Sequence, residues 1–411
     1  MSKMPTLFQM YRDLVAPCTE SPFIYHDWCL VSGIATMLGR NAFIPFGFKT
    51  QYANLYVCLI GGAGGRKSSA IAVIRSLMEQ AGYNRFSKER SSKERFISDL
   101  AKLDGRDPNP NLSVEEELDE DMQAACEVLI AAGELQDFLG PCNTDFIGML
   151  TNLFDNLPKY ENPKLTGKDV MVYQPTINML GGCTPTTFTT TFPPEIVGSG
   201  FLSRLIMVNG GGARQRLTLP PPPDMSLQND MITALGTIRE TVRGPMVYAP
   251  DAFNMIDVLY TKAKHPLTDA RFDTYINRRH EMLNKLCMIA AAADLSMTIL
   301  PEHVEFANTL LYVAEMDMPK ALGEFGKSNN NAQAEAIVSL LDRDASPRDV
   351  HQIFKELGSD FDSIQDCAKV VQKLIQTAKV HVIGTTGKIT AQPRLENLGK
   401  FPFVNPDMLG Y

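Results

Sequence analysis

Leu55-Tyr56-Val57-Cys58-Leu59-Ile60 runs directly into Gly61-Gly62-Ala63-Gly64-Gly65-Arg66-Lys67-Ser68-Ser69-Ala70. An apolar, partly β-branched run stops at a glycine-rich turn, after which Ile71, Ile74, Leu77 and Met78 recur at helical spacing. Strand, glycine loop and helix in that order is the context of a phosphate-binding P-loop. Glycines let backbone N–H groups turn toward a polyphosphate, and the helix N-terminus adds partial positive charge. In that reading Gly61, Gly62, Ala63, Gly64, Gly65, Arg66, Lys67, Ser68 and Ser69 cradle ATP. Lys67 reaches the β- and γ-phosphates and the Ser68 hydroxyl takes a Mg²⁺ position. The usual pattern has glycine before the lysine, and Arg66 stands there instead. The bland alternative is a glycine turn with an incidental lysine.

Working outward, 411 residues allow two or three domains, and 44% apolar with 21% charged residues describes an ordinary globular chain. The net charge of −8 means that any nucleic-acid surface is a local patch. Eight cysteines are scattered without a C-x-x-C pair, which argues against a zinc site or a disulfide framework. Reduced thiols and a cytoplasmic location are expected. No N-terminal apolar segment and no membrane-length apolar run occur, so neither secretion nor membrane insertion is expected.

Residues 1–52 read as an N-terminal helical segment, with a helix start at Ser21-Pro22 and Trp28 in its core. After the loop unit, Ser87-Lys-Glu-Arg90 and Ser92-Lys-Glu-Arg95 form a near-repeat that reads as a solvated helix, and an acidic run spans 115–121. A second apolar strand, Val128 to Ala132, ends at Gly133-Glu134. An acidic residue there is the Walker-B carboxylate that polarises the attacking water and helps hold Mg²⁺. The usual preceding aspartate is Gly133 here, Asp137 is a weak substitute, and the alternative is an exposed helix-start glutamate. Residues 143–156 read as a helix, and 158–168 as a hairpin or loop bearing Lys159, Lys164 and Lys168. A third strand runs from Thr176 to Cys183 and ends at Thr184-Pro185; a fourth, Leu205–Val208, follows Ser203-Arg204.

Pro220 to Pro223 closes the core, 53–222. Helices at 251–264, 271–295 and 301–325 form a lid over 223–326, with 327–333 a linker. Residues 334–395 then read as three helices and a hairpin around Gly384 to Gly387, a winged helix, with 396–411 a tail. One of its helices starts at Ser346-Pro347. Lys369, Lys373 and Lys388 belong to a segment with five basic and no acidic residues, Ala368 to Arg394, which favours nucleic acid. A solvated face of a protein-docking winged helix is the alternative.

Taken together, Asn54 to Ser69, Gly133 to Leu139, Leu180 to Pro185 and Gly200 to Leu205 resemble the phage and plasmid P-loop proteins called primase-associated helicases. The layout is also similar to the AAA+ core of MCM-type replicative helicases. That resemblance implies a sensor-1 role for Thr184, where the family has asparagine, and an arginine-finger role for Arg204 on a neighbouring subunit's nucleotide. It also implies a DNA-gripping hairpin at Lys159, Lys164 and Lys168, and a hexameric ring around single-stranded DNA. Arg204 as a plain ion pair, and Arg278 or Arg279 as an in-cis phosphate sensor, stand beside these readings. The expectation is an α/β P-loop NTPase (AAA+-like) core with N-terminal helices, an all-α lid and a C-terminal winged helix. It is expected to act as an ATP- and Mg²⁺-dependent helicase or translocase, with Lys67, Glu134, Thr184 and Arg204 catalytic. The resemblance also implies a separate primase or polymerase as partner. The rivals are an ATP-switched loader or initiator, and a weakly hydrolysing nucleotide-binding structural protein.

Overall fold

The apolar run before the glycines becomes a strand in which every residue is buried, Tyr56–Ile60. The computed structural model describes residues 4–104, 125–162, 170–193, 196, 200–267, 269–322, 333–334, 336–338, 340–341, 347–361, 363–376, 380–383, 388–391 and 401–410. The acidic run at 115–121 therefore lies outside the described residues. The backbone clusters into two units, Met1–Gly323 with Pro402–Tyr411, and Glu324–Phe401.

The larger unit begins with α1 (Thr6–Val15), α2 (Phe23–Leu38), β1 (Ala42–Phe46), β2 (Lys49–Tyr52), β3 (Tyr56–Ile60), α3 (Lys67–Gln80) and α4 (Lys93–Leu100). It continues with β4 (Glu127–Ala132), α5 (Leu135–Leu139), α6 (Thr144–Leu153), β5 (Lys159–Asn162), β6 (Val170–Tyr173), β7 (Thr176–Cys183), α7 (Pro185–Thr191) and β8 (Leu205–Asn209). Last come α8 (Met225–Thr241), β9 (Gly244–Pro245), β10 (Val247–Tyr248), α9 (Pro250–Thr261), α10 (Asp273–Ala293), β11 (Thr298–Ile299) and α11 (Pro301–Leu322).

Four strands form one parallel sheet in the order β4-β7-β3-β8. Strands buried on both faces read as unbroken apolar runs, which is why the sequence announces them. Outside β4, the Ser87 N–H donates to the Leu129 carbonyl and the Leu129 N–H to the Arg85 carbonyl, each at 3.0 Å, so residues 85–87 extend the sheet by a parallel bridge. The chain thus leaves β3 through α3, reaches the far edge, returns through β4 and β7, and crosses to β8 on the other side of β3. Such a reversal opens a crevice at the carboxyl ends of the strands, where the glycine loop lies.

Around the sheet, α2 is buried along almost its whole length, with Trp28 at 0% exposure as core. It packs on α3 and α8, and α11 packs on β8. Of the segment 223–326, read from sequence as a lid, the part up to residue 323 clusters with the sheet in the same unit. Residues 402–410 do too: the Asn308 side-chain amide donates to the Pro402 and Phe403 carbonyls (3.0 and 2.9 Å), and the Asn405 N–H donates to Thr309 Oγ1 (3.0 Å).

Two local expectations give way. Residues 42–52 form an antiparallel hairpin, not helix, because Pro45 lacks an N–H donor and Gly47 turns the chain at φ 60°. Of the charged near-repeat only the second copy is helical, since Ser92 Oγ accepts the Arg95 N–H at 3.2 Å and starts α4 there.

In the smaller unit, described residues within 333–341 are helical, followed by helices Val350–Leu357 and Ile364–Gln376 and the antiparallel pair β12 (Val380–Ile383) and β13 (Lys388–Ala391). Ile337, Leu341, Ile353, Val371, Leu374 and Ile389 share its core. The helix expected from Ser346-Pro347 starts after Asp349, which forms a capping box with Gln352. Arg348 is drawn instead into a β-bridge with Ile389. Among the described residues, no helix is long and apolar enough to cross a membrane.

Candidate functional site

At the carboxyl end of β3 the chain turns through Gly61–Gly65 into α3. The Gly61 N–H donates to the Cys183 carbonyl at 3.2 Å, which ties the loop to the end of β7. The Gly65 N–H donates to the Gly62 carbonyl at 3.1 Å. A Cβ on Gly62 or Gly64 would meet nothing within 4 Å, so the loop's outer face is open. Lys67 is 5% exposed, and its ammonium donates to the Gly61 and Gly62 carbonyls at 2.8 and 3.1 Å. Its charge is thus held inside the loop's curve. Ala63, Ser68 and Ser69 are exposed along the same opening.

The second part comes from the ends of β4 and β7. A Cβ on Gly133 would lie 3.5 Å from the Ser68 Cβ, and one on Gly182 would lie 2.3 Å from the Gly133 carbonyl oxygen and 3.5 Å from the Lys67 Cβ. Lys67, Ser68, Gly133 and Gly182 therefore converge, and glycine at 182 is what permits the approach. Glu134 follows immediately, exposed, at the N-cap of α5. Below the loop the Cys58 thiol is pushed up by its hydrogen bond to Cys183 and by burial, with Lys67 and Glu134 both acting on it electrostatically. Lys67, Ser68 and Glu134 thus all stand at the carboxyl ends of β3 and β4.

Thr184 sits at the end of β7 as expected, but its hydroxyl is engaged. It accepts the Thr187 N–H at 3.0 Å and lies 2.9 Å from the Thr187 hydroxyl, in the capping box that starts α7. Asp137 is turned to Arg90, at 3.1 Å.

Several residues that sequence reading did not single out hold the loop. The Tyr25 hydroxyl donates to the Ile60 carbonyl at 2.7 Å, and burial pushes its ionisation up to about 12. A Cβ on Gly61 or Gly210 would lie 2.3 Å from Tyr25 atoms, so both glycines make room for that ring. Arg66 adopts φ 63°, ψ 21° at the N-cap of α3, the left-handed conformation that costs a non-glycine residue about 1–2 kcal/mol. Its guanidinium Nε donates to Glu20 Oε2 at 2.7 Å, and its carbonyl accepts the Ser21 hydroxyl at 2.9 Å. No sequence periodicity connects 20–25 with 60–66; only the fold brings them together.

Arg204 lies at the other edge of the sheet. Pairing Tyr56 with Leu205 and Ile60 with Asn209 sets it a strand length, roughly 15 Å, from its own glycine loop. It is 6% exposed, contacts both Asp155 oxygens (Nε 3.3 Å, Nη2 2.5 Å), and donates to the Gly200 carbonyl at 2.6 Å. Arg278 joins Asp155 at 3.7 Å, and Arg279 is buried on Glu315 at 2.9 Å. Arg278 thus sits with Arg204 at the far edge, and Arg279 is held by Glu315. Lys285 is nearby: its ammonium donates to Asn54 O and Oδ1, both at 2.8 Å, and lies 3.9 Å from the Phe154 ring centre. Burial lowers its pKa to about 7.

The candidate DNA contacts divide between the units. Lys159, exposed on β5, pairs with Glu161 at 3.1 Å, while Lys164 and Lys168 lie outside the described residues. Lys369 is exposed and pairs with Asp366 at 3.0 Å; Lys388 is exposed on β13. Lys373 falls on the helix Ile364–Gln376, with its side chain outside the described set. Among the described residues no cluster of three or more His, Cys, Asp or Glu forms a metal-binding group.

No protein-family model and no curated protein matches this chain.

Proposed function

We propose that this chain is an ATP-hydrolysing P-loop protein of AAA+ type that works on DNA as an oligomer, a helicase or translocase of phage or mobile-element replication. The observation that carries the nucleotide reading is Lys67: a buried ammonium curled onto the Gly61 and Gly62 carbonyls, opposite exposed Ser68 and Glu134. Strand order supports it. With β7 between β3 and β4, the loop and the acidic residue are separated by one strand width on each side, roughly 10 Å in all. That spacing suits a terminal phosphate and a water between them.

The residues fit ATP with Mg²⁺: open glycines, a helix N-terminus and a lysine already held by oxygen acceptors. Lys67 and the loop N–H groups would bind the phosphates, and Ser68 with Glu134 would hold Mg²⁺, Glu134 through water. Bound Mg·ATP supplies a reactive γ-phosphoryl group with its oxygen charge partly neutralised. Glu134 orients the attacking water and accepts its proton. A Cβ on Gly133 would lie 3.5 Å from the Ser68 Cβ, so the turn that carries Glu134 runs beside Ser68.

Arg204 is too far from its own loop to act there, so a part in hydrolysis lies open to it only toward a neighbouring subunit in a ring. It must then leave Asp155. The sequence of three helical segments, a hairpin and the Arg348–Ile389 bridge supports a winged helix in the smaller unit. Lys369, Lys373 and Lys388 there, with Lys159, Lys164 and Lys168, would contact phosphates in a salt-sensitive, sequence-tolerant way.

A second reading, an ATP-switched or weakly hydrolysing protein, draws on two observations: Arg204 is satisfied within its own chain, and the Thr184 hydroxyl is used in a helix cap. Hydrolysis measured with and without single-stranded DNA separates the two. The helicase reading expects turnover that rises with DNA and vanishes in Lys67→Ala. Nucleotide binding without DNA-stimulated turnover selects the switch.

A further inference from the structure

We propose that Glu20 and Ser21 are positioning residues for the phosphate loop, locking Arg66 in a backbone conformation that glycine would reach unaided. The inference rests on the nucleotide reading above and adds what makes a loop without its last glycine serviceable. Arg66 takes φ 63° just before Lys67, and Gly64 takes φ 75° two residues earlier. Alternation of left-handed and ordinary residues aims successive N–H groups into one concavity, which is how backbone holds an anion. A side chain at position 66 weakens that geometry unless something restrains it.

Two restraints come from the connection between α1 and α2. Ser21, at 0% exposure, donates its hydroxyl to the Arg66 carbonyl at 2.9 Å. Glu20 takes the guanidinium at 2.7 Å, its own side chain 14% and that of Arg66 50% exposed, so the tie acts by fixing geometry with the other bonds to Glu20 rather than by ion-pair strength alone. Its other oxygen accepts the Leu217 N–H at 2.8 Å, and its carbonyl accepts the Arg214 N–H at 2.9 Å. These bonds hold the carboxyl below the usual carboxylate range, the Leu217 N–H contributing most and Arg66 next. Glu20 thereby joins the connector, the glycine loop and the segment after β8. Arg66 keeps its helical duty throughout, its carbonyl accepting the Ala70 N–H at 3.2 Å.

The test uses the full chain and a fluorescent ATP analogue with Mg²⁺, and compares nucleotide affinity, kcat and thermal unfolding. Glu20→Gln keeps an acceptor for Leu217 and removes the carboxylate facing Arg66. Its affinity should fall about tenfold with kcat within about twofold of the parent. Placed on Arg66→Gly, the same change should have no effect on affinity, because glycine holds φ 63° without help. Ser21→Ala should behave likewise and serves if Glu20→Gln folds poorly. Wild-type affinity in both variants overturns the inference, and so does a loss that persists in the Arg66→Gly background, which a merely structural tie would produce. Lys67→Ala separates the levels: binding that survives it removes the nucleotide reading itself. Binding lost in Lys67→Ala but unchanged in Glu20→Gln and Ser21→Ala removes only the positioning role.

Discussion

Gly182→Ala places one methyl group where β7 meets the turn after β4. The new Cβ would stand 2.3 Å from the Gly133 carbonyl oxygen. Ordinary carbon–oxygen contacts begin near about 3.3 Å, so about 1 Å must be recovered. Strand β7 is hydrogen-bonded to β3 on one side and β4 on the other, which leaves the Gly133–Glu134 turn to move. Overpacking of this kind costs about 1–3 kcal/mol and should lower Tm by roughly 2–10 °C. A carboxylate displaced by about 1 Å loses about a hundredfold in rate. The Lys67 Cβ, at 3.5 Å from the new atom, is in ordinary contact, so nucleotide affinity should change little. Steady-state ATP hydrolysis and thermal unfolding on the same preparation read both effects. Gly148→Ala, on α6 with nothing within 4 Å, is the control and should gain about 0.5–1 kcal/mol with unchanged turnover. A folded Gly182→Ala protein with normal kcat, or one whose defect lies wholly in KM, would refute the arrangement of Glu134 described above.

Two other outcomes follow from the opposite edge of the sheet. Asp155→Ala leaves Arg204 buried without its carboxylate and should cost about 2–3 kcal/mol, tempered because the Asp155 side chain is 42% exposed. Arg204→Ala should destabilise similarly but also lower turnover of the assembled protein by about 10³ or more, and equal turnover in the two variants counts against a trans role. Lys285 has a folded-state pKa near 7, below its ordinary 10.5, so between those values the unfolded chain holds the extra proton and stability rises with pH. Between pH 7 and 8.5, Lys285→Met should remove up to about 2 kcal/mol of that rise, measured in urea unfolding as a fall in the stability of the variant relative to the parent as pH increases. A constant gap means that the buried amine does not titrate in that range.

How far sequence reaches is visible residue by residue. β3, β4, β7 and β8 were legible because a strand covered on both faces is an apolar run closed by glycine, proline or a polar residue. The approach of Gly133 to Ser68, and of Gly182 to Lys67, follows from the parallel order of β4, β7 and β3. Illegible were contacts without a local pattern: Tyr25 under the loop, Glu20 on Arg66, and Asp155 on Arg204, 49 residues apart. The hairpin at 42–52 was hidden behind an apolar N-terminal segment whose helical character ends at Gly39, φ 50°. Thr184 was located correctly, yet its capping bond to Thr187 follows from the helix that starts there.

The central claim is that the glycine turn and Lys67 hold a nucleoside triphosphate. Titration of a fluorescent ATP analogue with Mg²⁺ into the wild-type chain and Lys67→Ala tests it most directly. Saturable, Mg²⁺-dependent binding with a dissociation constant below about 1 mM, weakened about a hundredfold or more by the substitution, is the expected result. Binding that never saturates, or that Lys67→Ala leaves untouched, would contradict it.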